Sequence, residues 1–451
     1  MQNNSKIILA TFSYFPHAWG GSELYVSALA KELLKNGHEV EILAGVPEEK
    51  TNQYNVFYQD GFIKVVRYIH EGIPVIGCSN KVNTDEIYSR YHSQWEKSWT
   101  SCLNKLWEKE TINVLHLHGH TALVGTALIN AVKEHSPEST IAFTYHVVET
   151  CPSGSLLYFN KKNCSIRPNT VECSKCVLSN RLGLSEKTVR IIQPFFPNIT
   201  FSEKVPAILK TKHLVHLSIS SFERFYKLID QWFVFSEQCQ ASLLRFGIEN
   251  NKIALIRHGI NKLYLSDTQK TARENHSKIK FIYVGRFQKL KGIQTLLKAW
   301  LQLEELDNRE LLLIGGAGDM EPSINVLVNK IKKRSDVSFF GVLSQKEIKA
   351  ILETGHCLII PSEVSETGPY VFHEAIACGV NVLASDIGGC AELAGFYGQG
   401  CELFKVKDSS DLAKKIKRFK YEKPLGSPET EERHFEKILK VYKKFKTATL
   451  V

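Results

Sequence analysis

No run of the 451-residue sequence approaches the roughly eighteen uninterrupted apolar residues that a membrane-spanning helix needs, so no bilayer span is expected. No repeat of solenoid period and no low-complexity tract interrupts the chain, which sets aside repeat and disordered architectures. Lys and Arg nowhere alternate with aromatics as they would on a nucleic-acid platform, and nucleic acid is not an expected partner. Residues 1–6 pass from polar residues straight into a strand-like run, which reads as a cytoplasmic, unprocessed chain. What is present is ordinary for a globular protein, with 43% apolar and 23% charged residues in a chain longer than one hydrophobic core usually serves. Two domains are therefore expected. A formal charge of +10 suits an anionic membrane surface or a phosphorylated small substrate alike, because each responds to the same field.

Short apolar runs at 7–10, 40–44, 62–69, 114–118, 141–145 and 232–235 alternate with helical patterns, the signature of an α/β unit whose parallel sheet is covered on both faces. Between the first two, Val26, Leu29, Ala30 and Leu33 share one helical face over 22–36, and Gly37 follows where a helix would end. The pattern restarts at 280–284, 311–314, 337–340, 357–360 and 380–384, which predicts a second α/β unit. Residues 261–277 are polar and weakly patterned, as in a linker over a cleft. The expected division is 1–264, carrying a cysteine-rich insertion at about 150–185, then 265–428, then an amphipathic helix over 429–451. In that last segment Phe435, Ile438, Leu439, Tyr442 and Phe445 form an apolar stripe beside Lys437, Lys440, Lys443, Lys444 and Lys446. It is expected to pack back on the first domain, with peripheral contact to a membrane surface as the alternative.

Three loops carry candidate chemistry. Gly20 and Gly21 stand where the first strand turns into the first helix, so backbone can approach a ligand there and free N–H groups can face an anion. The pair lacks the G-x-G-x-x-G spacing of a dinucleotide site. In the second unit, Gly285-Arg286 ends a strand and Lys291-Gly292 follows, placing two cations at the edge where open α/β sheets bind ligands. A guanidinium and an ammonium suffice to clamp a diphosphate. Finally, Glu366-Thr367-Gly368-Pro369-Tyr370 leads into a helix holding Glu374, with Pro369 in the first turn where a missing N–H is harmless. Two carboxylates on one side of a pocket would accept from ribose or pyranose hydroxyls.

The series Gly20-Gly21-x-Glu23, Gly37-His38-Glu39-Val40, Gly285-Arg286 with Lys291-Gly292, Gly315 and Gly318, Phe340-Gly341, Pro361-Ser362, Glu366 with seven residues before Glu374, and Gly388-Gly389 with Glu392 resembles the retaining family 4 glycosyltransferases. The likeness runs over nearly the whole chain and is most specific at 280–395. It implies a GT-B fold, two Rossmann-like domains facing each other across a cleft, and transfer of a sugar from a nucleoside diphosphate, UDP- or GDP-linked, to an acceptor hydroxyl of a sugar, glycan or lipid-linked molecule. It further implies that Arg286 and Lys291 bind the donor diphosphate, Glu374 the ribose, and Glu366 with Gly368, Pro369 and Tyr370 the donor sugar. Gly20 and Gly21 would face the diphosphate from across the cleft, and His146 would lie near the reacting face of the transferred sugar. No catalytic metal is expected, and the sequence has no Asp-x-Asp of the kind metal-dependent sugar transferases use. Alternatives are a non-catalytic sugar-nucleotide scaffold, a phosphorylase or epimerase of the same architecture, or an NAD-dependent oxidoreductase suggested by the glycines at 315–318.

Eleven cysteines are expected to be reduced. Four of them, Cys151, Cys164, Cys173 and Cys176, fall within one short segment, and the last two have C-x-x-C spacing, a set suited to structural zinc, or less readily to an iron–sulfur cluster. A subset of the same glycosyltransferases resembles this chain in having Cys-Pro after the Tyr-His strand and a later C-x-x-C.

Overall fold

The computed structural model describes residues 5–80, 94–121, 123–146, 150–159, 161–195, 206, 208–265, 278–305, 308–316 and 321–448. The chain builds two sheets. The first takes β1 (Lys6–Thr11), β2 (Glu39–Gly45), β3 (Val56–Gln59), β4 (Ile63–His70), β5 (Ile73–Asn80), β6 (Val114–His118) and β7 (Thr140–Thr144). A small hairpin, β8 (Leu157–Tyr158) and β9 (Lys162–Asn163), stands outside it, and β10 (Gln231–Val234) and β11 (Ile253–Leu255) complete it in the order β11-β10-β7-β6-β1-β2-β5-β4-β3. The second sheet is wholly parallel: β12 (Ile279–Val284), β13 (Arg309–Ile314), β14 (Val337–Gly341), β15 (Cys357–Ile360), β16 (Asn381–Ser385) and β17 (Cys401–Phe404), ordered β14-β13-β12-β15-β16-β17.

The apolar run of β1 is buried at every position because helices cover both faces, and its alternate residues feed different cores. Ile8 and Ala10 join one cluster with Leu43 and Leu115; Ile7 and Leu9 join the other with Ile42 and Ala44. Helix α1 (Gly21–Lys35) starts beside the glycine pair, as its spacing predicts, and buries Val26, Leu29, Ala30 and Leu33. Trp95 and Trp99 of α2 (Gln94–Leu106), together with Trp107, are fully buried, so these aromatics are packing residues.

One part of the first sheet departs from the expected all-parallel pattern. Strands β3, β4 and β5 pair antiparallel at one edge. Glu71 (φ 48°) and Gly72 (φ 80°) make the two-residue turn between β4 and β5, the backbone hand that matches the twist of a hairpin.

The remaining helices that shape the cleft are α3 (Thr170–Leu182), α4 (Glu237–Phe246), α5 (Tyr370–Ala377), α6 (Gly388–Tyr397) and α7 (Glu431–Ala448). Phe435, Ile438, Leu439 and Tyr442 of α7 belong to the core of the first sheet, not the second, while Lys437, Lys440, Lys443 and Lys444 face outward. The return is tied at the backbone, where Ile260 accepts from Glu431 N–H and donates to Glu429 O, both at 2.9 Å. Most of the expected linker, 266–277, lies outside the described residues, as does Gly318.

Candidate active site between the two sheets

The ends of β12 and β15 come together through glycine. Tyr283 Oη donates to the Arg286 carbonyl at 2.8 Å and closes the turn after β12. Gly292 sits at φ 67°, and a Cβ there would overlap the carbonyl oxygen of Pro361. That contact brings Lys291 to the loop after β15, where its Nζ lies 2.7 Å from Glu366 Oε1. Ser362 Oγ donates to the same oxygen at 2.6 Å. Burial opposes ionisation of Glu366, but the Lys291 ammonium, Ser362 and the charge of Arg286 outweigh it and hold the carboxyl below its ordinary value. Glu366 is thus an anion bonded to the cation expected to act beside it. Arg286 is exposed at the same edge.

The loop continues into α5. The Glu366 carbonyl accepts from Gly389 N–H at 2.8 Å, so the loop is pinned to the start of α6. Gly368 (φ 147°) lies against Phe235 and His258 of the first unit, and Pro369 caps α5. The Tyr370 ring is 4.2 Å from that of His258, and a Cβ on Gly21 would touch it at 4.0 Å. The glycine pair therefore faces the start of α5 across a cleft of about 700 Å³ whose walls include Trp19, Gly21, Lys31, Val284, Tyr370 and Glu374. Trp19 is 73% exposed. Arg286, Lys291 and Glu366 are not among the residues lining this cavity.

Burial, and after it the nearby Glu431 carboxylate, pushes Glu374 up to about 8, with the Tyr264 hydroxyl opposing; Glu431 is itself pushed up to about 7, first by burial. A carboxyl whose folded pKa exceeds its unfolded value costs stability when ionised. The cost is absent below the unfolded value near 4.5 and grows as pH rises to about 8. Glu374→Gln is therefore expected to match the wild type in ligand-free stability at acid pH and to exceed it by at least about 1 kcal/mol above pH 8, measured by denaturant unfolding at both pH values. A constant difference across pH would show that Glu374 does not titrate in this range.

His146 sits in a cluster of rings and not alone at a strand end. Its Nε2 is 3.0 Å from His118 Nδ1, and its ring centroid is 4.9 Å from that of Tyr25 and 5.4 Å from that of Phe235. Burial lowers its pKa to about 3, so it serves as a neutral hydrogen-bonding group. Its carbonyl accepts from Thr367 Oγ1 at 3.3 Å, one residue from Glu366. Tyr25 is the hub of this cluster, also meeting His258 and bonding His434 Nε2 at 3.1 Å.

Comparison with known proteins agrees with this fold. The chain is 23% identical to an uncharacterised glycosyltransferase of Methanocaldococcus jannaschii (399 residues; 86% of this chain, 82% of that one) and 21% identical to the N-acetyl-alpha-D-glucosaminyl L-malate synthase of Bacillus anthracis (87% and 84%). Its fold is similar to the sucrose-phosphate synthase of Thermosynechococcus elongatus (TM-score 0.60, 17% identity, 99% of this chain and 100% of that one) and to Anabaena HepE in complex with UDP and glucose (TM-score 0.56, 16% identity, 92% and 89%). Residues 266–434 match the family described as Glycosyl transferases group 1, and they contain Arg286, Lys291, Glu366 and Glu374. The chain is a glycosyltransferase of GT-B fold.

In this glycosyltransferase the glycines after β13 have a packing reason. A Cβ on Gly315 would overlap the Gly285 carbonyl, and one on Gly316 would press on the Phe287 ring, so these residues let two strand ends meet and do not require a dinucleotide. Glu23, left without a role by sequence reasoning, is only 4% exposed and accepts from Ser13 Oγ at 2.6 Å and Ser22 Oγ at 3.0 Å, which anchors the start of α1 beneath the glycine pair. Across the cleft, Glu392 of α6 accepts from Arg257 at 2.8 Å and from the Glu237 N–H at the start of α4 at 2.7 Å. The role of Glu392 has no local sequence signal, because Arg257 and Glu237 lie more than a hundred residues away in the chain.

The four cysteines do converge. Cys151, Cys164 and Cys173 line one small cavity, and Phe159 N–H donates to Cys176 Sγ at 3.3 Å. Burial pushes Cys173 up to about 12 and Cys176 up to about 11, with neighbouring thiols adding to the effect. Among the described residues, however, no group of three or more His, Cys, Asp or Glu is arranged to hold a metal ion. This arrangement does not support the zinc expected on Cys151, Cys164, Cys173 and Cys176; Cys176 is buried, the other three are half-buried, and all four are free thiols. No helix among the described residues is long and apolar enough to cross a membrane.

Proposed function

We propose that this glycosyltransferase acts with retention at the anomeric carbon, using a UDP- or GDP-linked sugar and the hydroxyl of a sugar, glycan or lipid-linked acceptor. The observation that carries the reading is the Lys291–Glu366–Ser362 network at the carboxyl edge of the second sheet, next to Glu374 at the cleft wall. Without donor, Lys291 and Glu366 satisfy each other. On donor binding the diphosphate takes the ammonium together with Arg286, and Glu366 is released to accept from sugar hydroxyls. As the glycosidic bond breaks, negative charge grows on the departing phosphate, and these two cations sit where it develops. The acceptor hydroxyl attacks the sugar carbon as the bond to the diphosphate breaks, and its proton passes to the departing phosphate oxygen, with oriented partners doing most of the work. Neutral His146 orients hydroxyls near the reacting face. The sequence resemblance to retaining enzymes supports the stereochemistry, and the absence of Asp-x-Asp supports neutralisation by side chains.

A thermal-shift and calorimetric screen against UDP, GDP, ADP and dTDP, with their common sugar conjugates, tests the donor assignment. One nucleotide is expected to bind selectively, and Arg286→Ala and Glu374→Ala are each expected to weaken it by tenfold or more, on the order of 1.4 kcal/mol. Binding by none of the four in the wild type would move a non-catalytic scaffold ahead of the enzyme. The stereochemistry is read separately, by NMR of the anomeric proton in the first-formed product.

A further inference from the structure

The cysteine-rich insertion reaches across the cleft and touches the donor loop. The Ser155 carbonyl accepts from Ser365 N–H at 2.9 Å, and Asn163 Oδ1, at the end of β9, accepts from Gly388 N–H at 3.2 Å. These two contacts flank Glu366. Ser365 is its chain neighbour, and Gly388 precedes Gly389, whose N–H holds the Glu366 carbonyl. There is little slack between them: a Cβ on Gly388 would overlap Ser365 Oγ, and one on Gly389 would come within 2.6 Å of the Glu366 carbonyl oxygen. A shift of the α6 start must therefore move the loop that carries Glu366.

The insertion is in turn shaped from its thiol corner. Cys151 Sγ lies 3.2 Å from Ser153 Oγ, which lies 3.0 Å from Ser155 Oγ, and Leu157 N–H donates to that last oxygen at 3.2 Å. The Leu157 carbonyl is bonded by Cys176 Sγ of α3 at 3.5 Å. A continuous set of contacts thus joins Cys151 and Cys176, the turn at 151–157, the Ser155 carbonyl and the donor loop.

We infer that the cysteine-rich insertion is a working wall of the donor site, in which Ser155 and Asn163 are positioning residues that seat Glu366. This deepens the proposed function and rests on its assignment of Glu366 to the donor sugar. The loop is held from its own domain by Gly389 and from the other by Ser155 and His146, with Asn163 steadying the α6 start. Glu366 reaches its working position only when the insertion is docked, so the state of the first domain sets the geometry of a carboxylate in the second. Among the described residues Lys291, Arg286 and Glu374 make no bond to the insertion, and nucleotide binding is separable from this effect.

Asn163 is exposed, so its replacement spares the core, and the test compares the wild type with Asn163→Ala and Asn163→Asp. Hydrogen exchange is followed in peptides spanning 362–368 and 386–391. In parallel, hydrolysis of the sugar conjugate selected by the nucleotide screen is measured without acceptor. Asn163→Ala is expected to speed exchange in both peptides and lower kcat about three- to tenfold, the loss of one hydrogen bond, with nucleotide affinity unchanged. Asn163→Asp keeps the acceptor oxygen and is expected to restore both. Wild-type exchange in Asn163→Ala would overturn the inference, as would a parallel fall of kcat and nucleotide affinity that Asp fails to rescue. If the wild type bound no nucleotide, the donor reading would fail, whereas the exchange data would still decide whether the insertion holds the loop.

Discussion

Replacing Lys291 by Met should lower turnover of the nucleotide sugar by about 10²–10³-fold, the usual cost of removing one preorganised partner of developing charge. The side chain keeps its length, so the change isolates the ammonium. Two effects add. The departing diphosphate loses a cation, and Glu366, bonded to Lys291 Nζ at 2.7 Å, is left with Ser362 as its remaining partner. Without that ammonium, burial dominates, and the Glu366 pKa moves upward from its depressed value. The wild-type carboxyl contributes stability above its unfolded pKa and loses it as pH falls through the folded one. The variant should show less of this acid-side loss. Lys291→Arg should rescue only in part, because a planar fork does not replace a compact charge at this distance. Turnover within a few-fold of wild type in the Met variant would remove Lys291 from the donor site.

Gly292→Ala should be the most damaging single change in backbone terms. The residue sits at φ 67°, and its Cβ would overlap the Pro361 carbonyl, an obstacle of backbone that no rotamer relieves. A cost of about 3 kcal/mol or more is expected, combining steric overlap with the positive φ. Gly183→Ala, at φ 66° with open space around it, supplies the control and should cost only about 1 kcal/mol. Denaturant unfolding of the two variants reads the difference directly. Because Gly292 brings Lys291 to the end of β15, the Ala variant should also lose turnover under conditions where it remains folded. Equal destabilisation of the two variants would mean that the β12 and β15 loops are not in backbone contact.

Much of the fold was legible because it rests on local pattern. The apolar runs at 7–10, 40–44 and 357–360 became β1, β2 and β15, since a buried parallel strand needs apolar side chains on both faces. The stripe over Phe435, Ile438, Leu439 and Tyr442 declared an amphipathic helix. Strands β5 and β17 escaped notice, as did the antiparallel edge of the first sheet, because short apolar segments beside a turn resemble loop sequence until a neighbour pairs with them.

The sequence by itself determined two α/β units, the charged residues Arg286, Lys291, Glu366 and Glu374 on which the proposed donor site rests, and the family they resemble. These follow from residue type and from spacing along one strand, one loop or one helix turn, which the chain carries wherever it folds. Only the tertiary structure decided that Lys291 and Glu366 meet as an ion pair and that Glu374 lines the cleft. It also decided that His146 is neutral among rings and that Cys151, Cys164 and Cys173 come together around one small cavity. The same holds for the reach of Ser155 and Asn163 across the cleft to the Glu366 loop. Distances between residues hundreds of positions apart depend on how two sheets pack, and hydrogen bonds and ionisation respond to those distances within an ångström or two.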